Sequence, residues 1–372
     1  MNIKKRKILH ITGTMNIGGT ETMIMNLYRE LYKNYIFDFV YYSQEEGFYD
    51  DEIISLGGNI IKISDTSKVN PIKTINELYK VIRRGNYKIV HAHTLFNCGN
   101  AMIAAKLAGA EIRISHAHTN LEIGNSFIKK CYISIMKYLI NINSTNLFAC
   151  SNSAGRYLFG DKVVSKNKYK VLPNYVDYKK FLKCDDENSI RKKLGMKSDD
   201  ILVGHIGRFV DAKNHKFLIK VLNMMIKKDK RIKAILVGIG PLKNEIDQQI
   251  KYLGLENNIY LAGVRQDTEK ILNNCDLFIF PSIYEGLGLV MLEAQSCGLP
   301  CLVSEAIQPE ADLSIGLIKQ LSLKDGIDKW SNEALNLIGS KNKDEKLIND
   351  AFINKGYNLE NIINNLLNLY EV

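Results

Sequence analysis

The chain of 372 residues lacks a long uninterrupted run of apolar residues. Its most apolar stretch, residues 131–142, contains Lys137, and a membrane-spanning helix needs about 20 apolar residues. The basic and then apolar N-terminus is similar to the start of a signal peptide. Its apolar part is short, however, and ends at Gly13 without a small-residue cleavage site. We therefore expect no transmembrane segment and interpret the N-terminus as a first β-strand.

The seven cysteines lack the even number and regular spacing of a secreted disulfide scaffold, so we expect a reduced, cytosolic protein. We predict Cys297 and Cys301 to be ordinary core residues. The chain also has only six prolines against 26 glycines, which argues against long stiff linkers. With 46% apolar and 24% charged residues, a disordered polymer is excluded.

The net charge of +10 is confined to one half of the sequence. Up to Val176 there are 23 basic and 13 acidic residues, and the remainder has 27 of each. A basic half is typical of proteins that bind nucleic acid, an anionic membrane surface or a phosphorylated ligand. The remaining interpretation is that the high isoelectric point has no functional meaning.

Short apolar runs alternate with amphipathic segments, which is typical of parallel sheets covered by helices. The runs that precede the polar motifs below lie at residues 8–12, 89–91, 113–115, 201–206 and 277–280. About thirteen strands are too many for one sheet, so we predict an α/β protein of two Rossmann-like domains, residues 1–176 and 177–355. Residues 356–372 are amphipathic and could cap either domain as a helix; we place this helix on the N-terminal one.

A glycine-containing loop follows the first predicted strand. Gly18 and Gly19 precede a helix that is expected to begin near Thr20. Glycines at that place allow close approach of a ligand to the backbone, and a helix N-terminus favours an anion. The spacing differs from that of dinucleotide-binding loops, so these glycines could also simply form the turn.

The tetrapeptide His-Ala-His-Thr occurs twice, at residues 91–94 and 116–119, each time at the end of a predicted strand. Four of the seven histidines therefore belong at one carboxyl edge of the first sheet. Imidazoles two positions apart on a strand share a face, which makes a metal site one interpretation. No acidic residue adjoins either copy. We favour a polar lining in which one histidine contacts a substrate, with structural hydrogen bonding as the third option.

The second half carries basic and acidic residues directly after predicted strands. Arg208 and Lys213 follow the run at 201–206, where a guanidinium fork and an ammonium can converge on a diphosphate. Glu285 follows the run at 277–280, and Glu293 lies inside the next apolar helix. A buried carboxylate there needs a partner, and a sugar or ribose diol provides two hydroxyl donors. The segment between them, Gly286, Leu287, Gly288 and Leu289, forms a tight turn and a helix start suited to phosphate.

In sequence order, these motifs resemble those of retaining glycosyltransferases of family 4, which have the GT-B fold. The Glu-x7-Glu pattern of EGLGLVMLEAQSCGLP is the strongest element. The segments GRFVDAK, CSNSAGRYL, LPNYVD and LVGIGPL support it, so that the resemblance covers nearly the whole chain. The segments KNHKFLI and AIQPEADLSIG are similar to the capsular and exopolysaccharide branch.

The resemblance implies two Rossmann-like domains facing each other across a cleft, and a nucleotide-diphospho-sugar donor, expected to be a UDP-sugar. Arg208 and Lys213 match the residues that contact the diphosphate. Glu293 matches the ribose-binding acid and Glu285 the acid near the transferred sugar. Residues 263–265, including Val264, match the base-contacting region. The remaining implied donor-binding positions are Gly18, Gly19, Gly286, Leu287, Gly288 and Leu289.

The family's active-site histidine corresponds better to His118 than to His116, by distance from the strand, although both remain candidates. The resemblance also implies that no metal and no cofactor is needed. Tyr175, Leu287 and Asn214 stand where family members commonly have glycine, phenylalanine and glycine. None of these departures removes a charged group, although Tyr175 could alter the cleft.

A retaining enzyme could use a carboxylate nucleophile, for which the first domain offers only Glu21 and Glu122, neither with motif support. The resemblance implies front-face substitution instead. The acceptor would be a lipid-linked or oligosaccharide hydroxyl. The basic half could then attract the inner face of the cell membrane through lysines such as Lys129, Lys130 and Lys137. A GT-B sugar-nucleotide epimerase and a non-catalytic nucleotide-sugar-binding protein are the alternatives. No nucleic-acid-binding motif is present.

Overall fold

A computed structural model describes residues 5–66, 69–118, 127–165, 169–172, 176–183 and 189–370 of the chain. The chain divides into two compact units: unit 1 is Met1–Tyr175 with Tyr357–Val372, and unit 2 is Val176–Gly356. The boundaries lie one residue from those predicted. Tyr175, singled out in the sequence, lies outside the described residues.

Unit 1 is built on a parallel sheet with the order β3-β2-β1-β4-β5-β6-β7 in the part of the chain that the structure describes. Its strands are β1 Arg6–Thr12, β2 Tyr35–Tyr41, β3 Ile60–Lys62, β4 Ile89–Ala92, β5 Ile112–Ala117, β6 Asn146–Ala149 and β7 Lys170–Val171. The order reverses between β1 and β4, and open α/β sheets bind ligands at the carboxyl edge beside such a reversal.

The helices of unit 1 cover both faces of this sheet. They are α1 Gly19–Leu31, α2 Asp50–Ser55, α3 Pro71–Gly85, α4 Cys98–Ala108, α5 Phe127–Asn143, α6 Asn152–Phe159 and α7 Asp161–Ser165. The predicted start of the first helix near Thr20 is confirmed within one residue.

Unit 2 repeats the scheme with a parallel sheet of order β10-β9-β8-β11-β12-β13 among its described residues. Its strands are β8 Ile201–Ile206, β9 Ile232–Val237, β10 Ile259–Gly263, β11 Leu277–Phe280, β12 Cys301–Ser304 and β13 Ile318–Leu321. Its helices are α8 Tyr178–Leu182, α9 Ser189–Lys193, α10 His215–Lys228, α11 Lys243–Tyr252, α12 Thr268–Asn274, α13 Leu289–Ser296, α14 Gly326–Leu337 and α15 Glu345–Asn354. The order reverses between β8 and β11.

The C-terminal helix α16, Leu359–Tyr370, packs into the core of unit 1. Its buried residues Ile362, Leu366 and Tyr370 lie in the same cluster as aromatic residues of β2. At its end, Arg6 of β1 donates a hydrogen bond from Nη1 to the Tyr370 carbonyl oxygen at 2.6 Å. The apolar stripe of this helix is thus buried against the sheet of unit 1.

Cys297 and Cys301 are buried, as predicted for core residues. Among the described residues, none of the helices combines the length and the apolar character that crossing a bilayer requires.

Candidate active site

The loops after β8, β9 and β10 are joined by backbone hydrogen bonds in unit 2. Gly207 N–H donates to the Val237 carbonyl at 2.9 Å, and Phe209 N–H donates to the Ile239 carbonyl at 2.9 Å. Gly238 N–H in turn donates to the Gly263 carbonyl at 2.8 Å. The segment that carries Arg208 is therefore held in place by its neighbours.

Glycine is required where these loops meet. Gly238 has φ +141°, and a Cβ atom there would lie 2.1 Å from the Gly207 carbonyl oxygen. A Cβ on Gly240 would lie 2.4 Å from the Phe209 carbonyl oxygen. A side chain at either position would displace the backbone on both sides of Arg208. The sequence motif LVGIGPL contained this signal, but its structural role was not predicted.

Lys213 is the last residue of a short 3₁₀ turn, Asp211–Lys213, and Arg208 lies three residues before that turn. The guanidinium-bearing residue Arg208 is exposed. Lys213 donates from Nζ to Glu285 Oε1 at 2.5 Å, and its Nζ lies 4.6 Å from the centre of the Phe280 ring. The side chain of Lys213 is 20% exposed and that of Glu285 is 9% exposed. The structure thus brings together two of the predicted diphosphate and sugar contacts as a largely buried ion pair.

The loop after β11 leads into helix α13. Ile283 N–H donates to the Ala212 carbonyl at 2.7 Å, which joins this loop to the 3₁₀ turn. Gly288 precedes the helix with φ +81°, a conformation that favours glycine. At the start of α13, Met291 N–H donates to the Gly288 carbonyl oxygen at 2.8 Å. Leu289 and Val290 come before the regular i−4 hydrogen bonds of the helix, and a helix N-terminus of this kind favours an anion. Leu287, which replaces the common phenylalanine, is buried.

Glu293 lies on α13 and is half-buried. Burial raises the pKa of its carboxyl to about 7; nearby Lys180 lowers it and Glu269 raises it. A carboxyl that ionises near neutral pH inside an apolar helix is unusual for a purely structural position.

Val264 follows β10 and is 42% exposed. Beside it, Arg265 donates from Nε to Asp267 Oδ1 at 2.8 Å and from Nη2 to Asp267 Oδ2 at 2.6 Å. This bidentate pair fixes the side chains next to the predicted base-contacting backbone.

In unit 1, Gly18 caps the N-terminus of α1, and Gly19 is its first residue. Gly18 has φ −162°, so its backbone needs no glycine. A Cβ at Gly18 would lie 2.4 Å from Oε2 of Glu21, so glycine leaves room for this carboxylate. The helix start that was predicted to favour an anion therefore already has an acidic side chain beside it.

The histidines of both tetrapeptides lie together, and His10 of β1 joins them. His10 Nδ1 is 3.1 Å from His93 Nε2, and His93 Nδ1 is 2.8 Å from His118 Nε2. His91 Nε2 is 3.2 Å from His116 Nδ1. His10 was not predicted, although its position near the end of β1, the strand beside β4, is the signal that could have identified it.

All five imidazoles are neutral at physiological pH. Burial lowers the pKa of His10 and of His118 to about 3. Burial and then the neighbouring imidazoles hold the pKa values of His91, His93 and His116 well below 6.5. The histidines therefore form a polar but uncharged surface at the carboxyl edge of unit 1. One nitrogen from each member of two groups, His10-His91-His93 and His93-His116-His118, lies close enough to the others to share a metal ion.

Two family models match the chain. Residues 17–180 match the one described as Glycosyltransferase Family 4, and residues 186–352 match the one described as Glycosyl transferases group 1. A Bacillus subtilis protein named "Putative glycosyltransferase EpsF" is 33% identical to this chain. The match covers 100% of this chain and 98% of EpsF. An Escherichia coli UDP-Gal:alpha-D-GlcNAc-diphosphoundecaprenol alpha-1,3-galactosyltransferase is 26% identical over 98% of this chain and 97% of its own length.

Solved structures share the fold over the full chain. The Anabaena HepE structure in complex with UDP-glucose has a TM-score of 0.79 at 19% identity, covering 98% of this chain and 99% of that one. WaaG, a glycosyltransferase of lipopolysaccharide biosynthesis, has a TM-score of 0.70 at 14% identity, covering 96% of this chain and 94% of that one. The chain is therefore a member of the family 4 (group 1) glycosyltransferases and has their GT-B fold of two Rossmann-like units.

Proposed function

We propose that this glycosyltransferase is a retaining enzyme that moves a sugar from a UDP-sugar to a hydroxyl of a lipid-linked or oligosaccharide acceptor in capsule or exopolysaccharide synthesis. The observation that carries the donor assignment is the ion pair of Lys213 with Glu285, which lies in the loop before α13, with the exposed Arg208 on the loop that also leads to Lys213. Two positive side chains and a helix N-terminus after parallel strands suit a diphosphate.

The leaving diphosphate would be stabilised by groups that are already in position. Arg208 offers two parallel N–H donors, and Lys213 offers a point charge held by Glu285 at 2.5 Å. Such fixed charges stabilise a developing anion without reorganisation during the reaction. Glu285 would contact hydroxyls of the transferred sugar, Glu293 would bind the ribose, and Val264 would lie beside the base.

The choice of UDP rests on similarity. HepE has been solved with UDP-glucose, and the name of the E. coli relative describes a UDP-galactose donor and a diphosphoundecaprenol-linked acceptor. The proposed front-face reaction builds positive charge on the sugar. The neutral His118 imidazole would contact that sugar without repelling it. We propose that the transfer itself needs no metal and no cofactor.

A donor screen tests this function. Purified protein is incubated with UDP-, GDP-, ADP- and TDP-sugars, with EDTA and with or without membrane lipid extract, and products are identified by mass spectrometry. We expect release of UDP together with a glycosylated lipid. Arg208→Ala and Lys213→Ala should each reduce transfer at least about 100-fold. Lys251→Ala, which removes an exposed ion pair with Asp247, is the matched control and should retain activity.

The other outcomes of the screen are equally informative. Near-normal transfer by Arg208→Ala or Lys213→Ala would contradict the assigned roles. Donor binding without release in every condition would favour the non-catalytic alternative, and conversion of the donor sugar without an acceptor would favour the epimerase.

The surface of α5 supports a membrane-bound acceptor. The buried side of the helix carries Ile133, Met136 and Ile140. The side away from the core is apolar as well, with large exposed side chains at Phe127, Ile128, Tyr132, Ile135, Tyr138 and Ile142. Lys129 and Lys130 are exposed at its start. We propose that this face rests on an anionic lipid surface, to which both apolar area and lysines contribute.

Lys137 is a weaker membrane contact than its neighbours. It is half-buried, and burial lowers the pKa of its amino group although Asp161 raises it. Vesicle co-sedimentation with phosphatidylglycerol vesicles tests the surface. Combined Ile128→Ser and Ile135→Ser should abolish binding, and Ile54→Ser, which changes an isoleucine 60% exposed on α2, should not. Unchanged binding of the double variant would contradict the proposal.

A further inference from the structure

We propose that His93, His116 and His118 form a transition-metal site, suited to Zn²⁺, in which a bound ion inhibits the enzyme. One nitrogen from each of the three rings lies within 4.8 Å of the other two. Tetrahedral zinc with imidazole ligands at about 2.0–2.1 Å holds its ligand nitrogens about 3.3 Å apart. The nitrogens His93 Nδ1 and His118 Nε2, at 2.8 Å, are already near that spacing.

The third ligand is a nitrogen with no other function in the structure. His116 is 1% exposed, and its Nε2 has no hydrogen-bond partner among the described residues. Burying a polar atom without a hydrogen-bond partner is unfavourable. Coordination of a metal ion by this atom would remove that cost. The proposal therefore assigns His116 Nε2, His93 Nδ1 and His118 Nε2 as ligands.

Hydrogen bonds behind these rings fit the assignment. A metal-bound imidazole usually donates its other N–H to a fixed acceptor, which sets the tautomer and the ring orientation. His116 Nδ1 lies 3.2 Å from His91 Nε2, and His91 Nδ1 lies 3.1 Å from the Tyr370 hydroxyl oxygen. His93 Nε2 lies 3.1 Å from His10 Nδ1. Two of the three ligands, His116 and His93, thus have a hydrogen-bond partner at the ring nitrogen that would not bind the metal.

The site is chemically suited to an ion that binds and leaves. Neutral imidazoles are the form that binds metals, and one nitrogen from each of the three rings lies within 4.8 Å of the other two. His118 is half-buried and His116 is 1% exposed, so we assign the fourth coordination position, taken by water, to the side of His118. Three protein ligands and one open position are typical of reactive rather than structural zinc sites.

Inhibition follows from charge and position, and this part rests on the proposed function. His118 is the residue expected to contact the donor sugar, on which positive charge builds during transfer. A dication on His118 would repel that charge at short range. The chain would then be an enzyme that needs no metal and is switched off by one.

Direct metal binding is the first test. The protein is titrated with Zn²⁺ against a chromophoric chelator, and with Co²⁺ to record visible absorption bands. We expect one tight equivalent. His116→Gln and His118→Gln should each weaken Zn²⁺ binding more than about 100-fold. His10→Gln, which changes the hydrogen-bond partner of His93, should weaken Zn²⁺ binding about tenfold. His215→Gln, at a buried histidine of unit 2, is the matched control and should leave binding unchanged.

Circular dichroism confirms that each variant is folded. If His116→Gln does not fold, His118→Gln at the more exposed position still decides the question. Equal Zn²⁺ binding by wild type and His118→Gln would overturn the proposal. Loss of binding in His10→Gln but not in His118→Gln would place the ion in the deeper group of His10, His91 and His93 and would equally overturn it.

Activity separates this proposal from the proposed function. One equivalent of Zn²⁺ should block transfer by wild type but not residual transfer by His118→Gln, and EDTA should restore the wild-type rate. Tight Zn²⁺ binding by a protein that transfers no sugar would leave the metal site intact and contradict the proposed function. Transfer that is insensitive to Zn²⁺ would retain that function and contradict the inhibition.

Discussion

Replacing Glu293 by glutamine should remove a pH dependence of donor binding centred near pH 7. Glu293 is half-buried on α13, and burial raises the pKa of its carboxyl to about 7, while Lys180 lowers it and Glu269 raises it. In the proposed site the carboxylate accepts hydrogen bonds from two ribose hydroxyls. The protonated carboxyl has less acceptor capacity, so binding below pH 7 requires the loss of a proton.

The size of the effect follows from the ionised fraction. A carboxyl with a pKa of about 7 is roughly one tenth ionised at pH 6 and roughly nine tenths ionised at pH 8. The affinity for UDP-glucose should therefore fall about tenfold from pH 8 to pH 6. Glu293→Gln should bind more weakly than wild type at pH 8 and show a flat profile.

Ionisation of the Glu293 carboxyl also lowers the free energy of unfolding. Because the folded state raises the pKa from 4.5 to about 7, folding favours the protonated carboxyl. This contribution is fully present below pH 4.5 and is lost as the pH rises through about 7. Its upper limit is roughly 3 kcal/mol, reduced by the partial exposure of the side chain. Glu293→Gln cannot ionise, so it should be more stable than wild type at pH 8 and nearly equal at pH 5.

Isothermal titration calorimetry with UDP-glucose measures the binding profile. UDP itself is unsuitable because its terminal phosphate titrates near pH 6. Burial lowers the pKa values of the five histidines of unit 1, so these histidines should not cause the pH dependence of UDP-glucose binding. Glu256→Gln, at an exposed position, is the control and should retain the wild-type slope. A flat wild-type profile, or an unchanged slope in Glu293→Gln, would refute the reasoning.

Two further predictions concern backbone fit and core packing. Gly238→Ala should weaken UDP-glucose binding at least about tenfold, because its Cβ would lie 2.1 Å from the Gly207 carbonyl oxygen. Gly254 also has a positive φ, +66°, but open space around it, so Gly254→Ala should have little effect on binding by calorimetry. Leu366→Ala, at a site 1% exposed, should destabilise unit 1 by about 2–5 kcal/mol in urea unfolding. Leu347→Ala, 40% exposed on α15, should cost far less, and equal losses would contradict the packing argument.

The fold was predictable where apolar runs are continuous. The strand β11 is buried along its whole length, so its sequence, Leu-Phe-Ile-Phe, is an uninterrupted apolar run that ends at a polar motif. The strand β13 is not recognisable in the sequence, because Ile-Lys-Gln-Leu is short and has two exposed residues in the middle. Such an edge strand is recognised by pairing with β12, and sequence periodicity does not contain that information.

For the site, the sequence predicted only which strands are followed by charged residues. Arg208, Lys213 and Glu285 were expected at one sheet edge, since parallel strands end together. The ion pair of Lys213 with Glu285 joins residues 72 positions apart and depends on two loop conformations. His10 joins His93 across 83 positions because β1 and β4 are neighbours in the sheet. These contacts follow from strand order, which the sequence motifs do not specify.

The charges of the two units suit the two charges that the proposed reaction creates. In the proposed reaction the diphosphate would leave as an anion, and unit 2 carries the basic residues Arg208 and Lys213. The sugar would become cationic, and unit 1 carries imidazoles, including that of His118, whose pKa burial lowers to about 3. An imidazolium at His118 would oppose the sugar charge, whereas a neutral ring can still hydrogen-bond to its hydroxyls. Clustering five largely buried histidines would therefore be a physical means of placing polar groups beside a cation without adding charge. The same arrangement creates the metal affinity, because a neutral imidazole with a free lone pair is also a ligand.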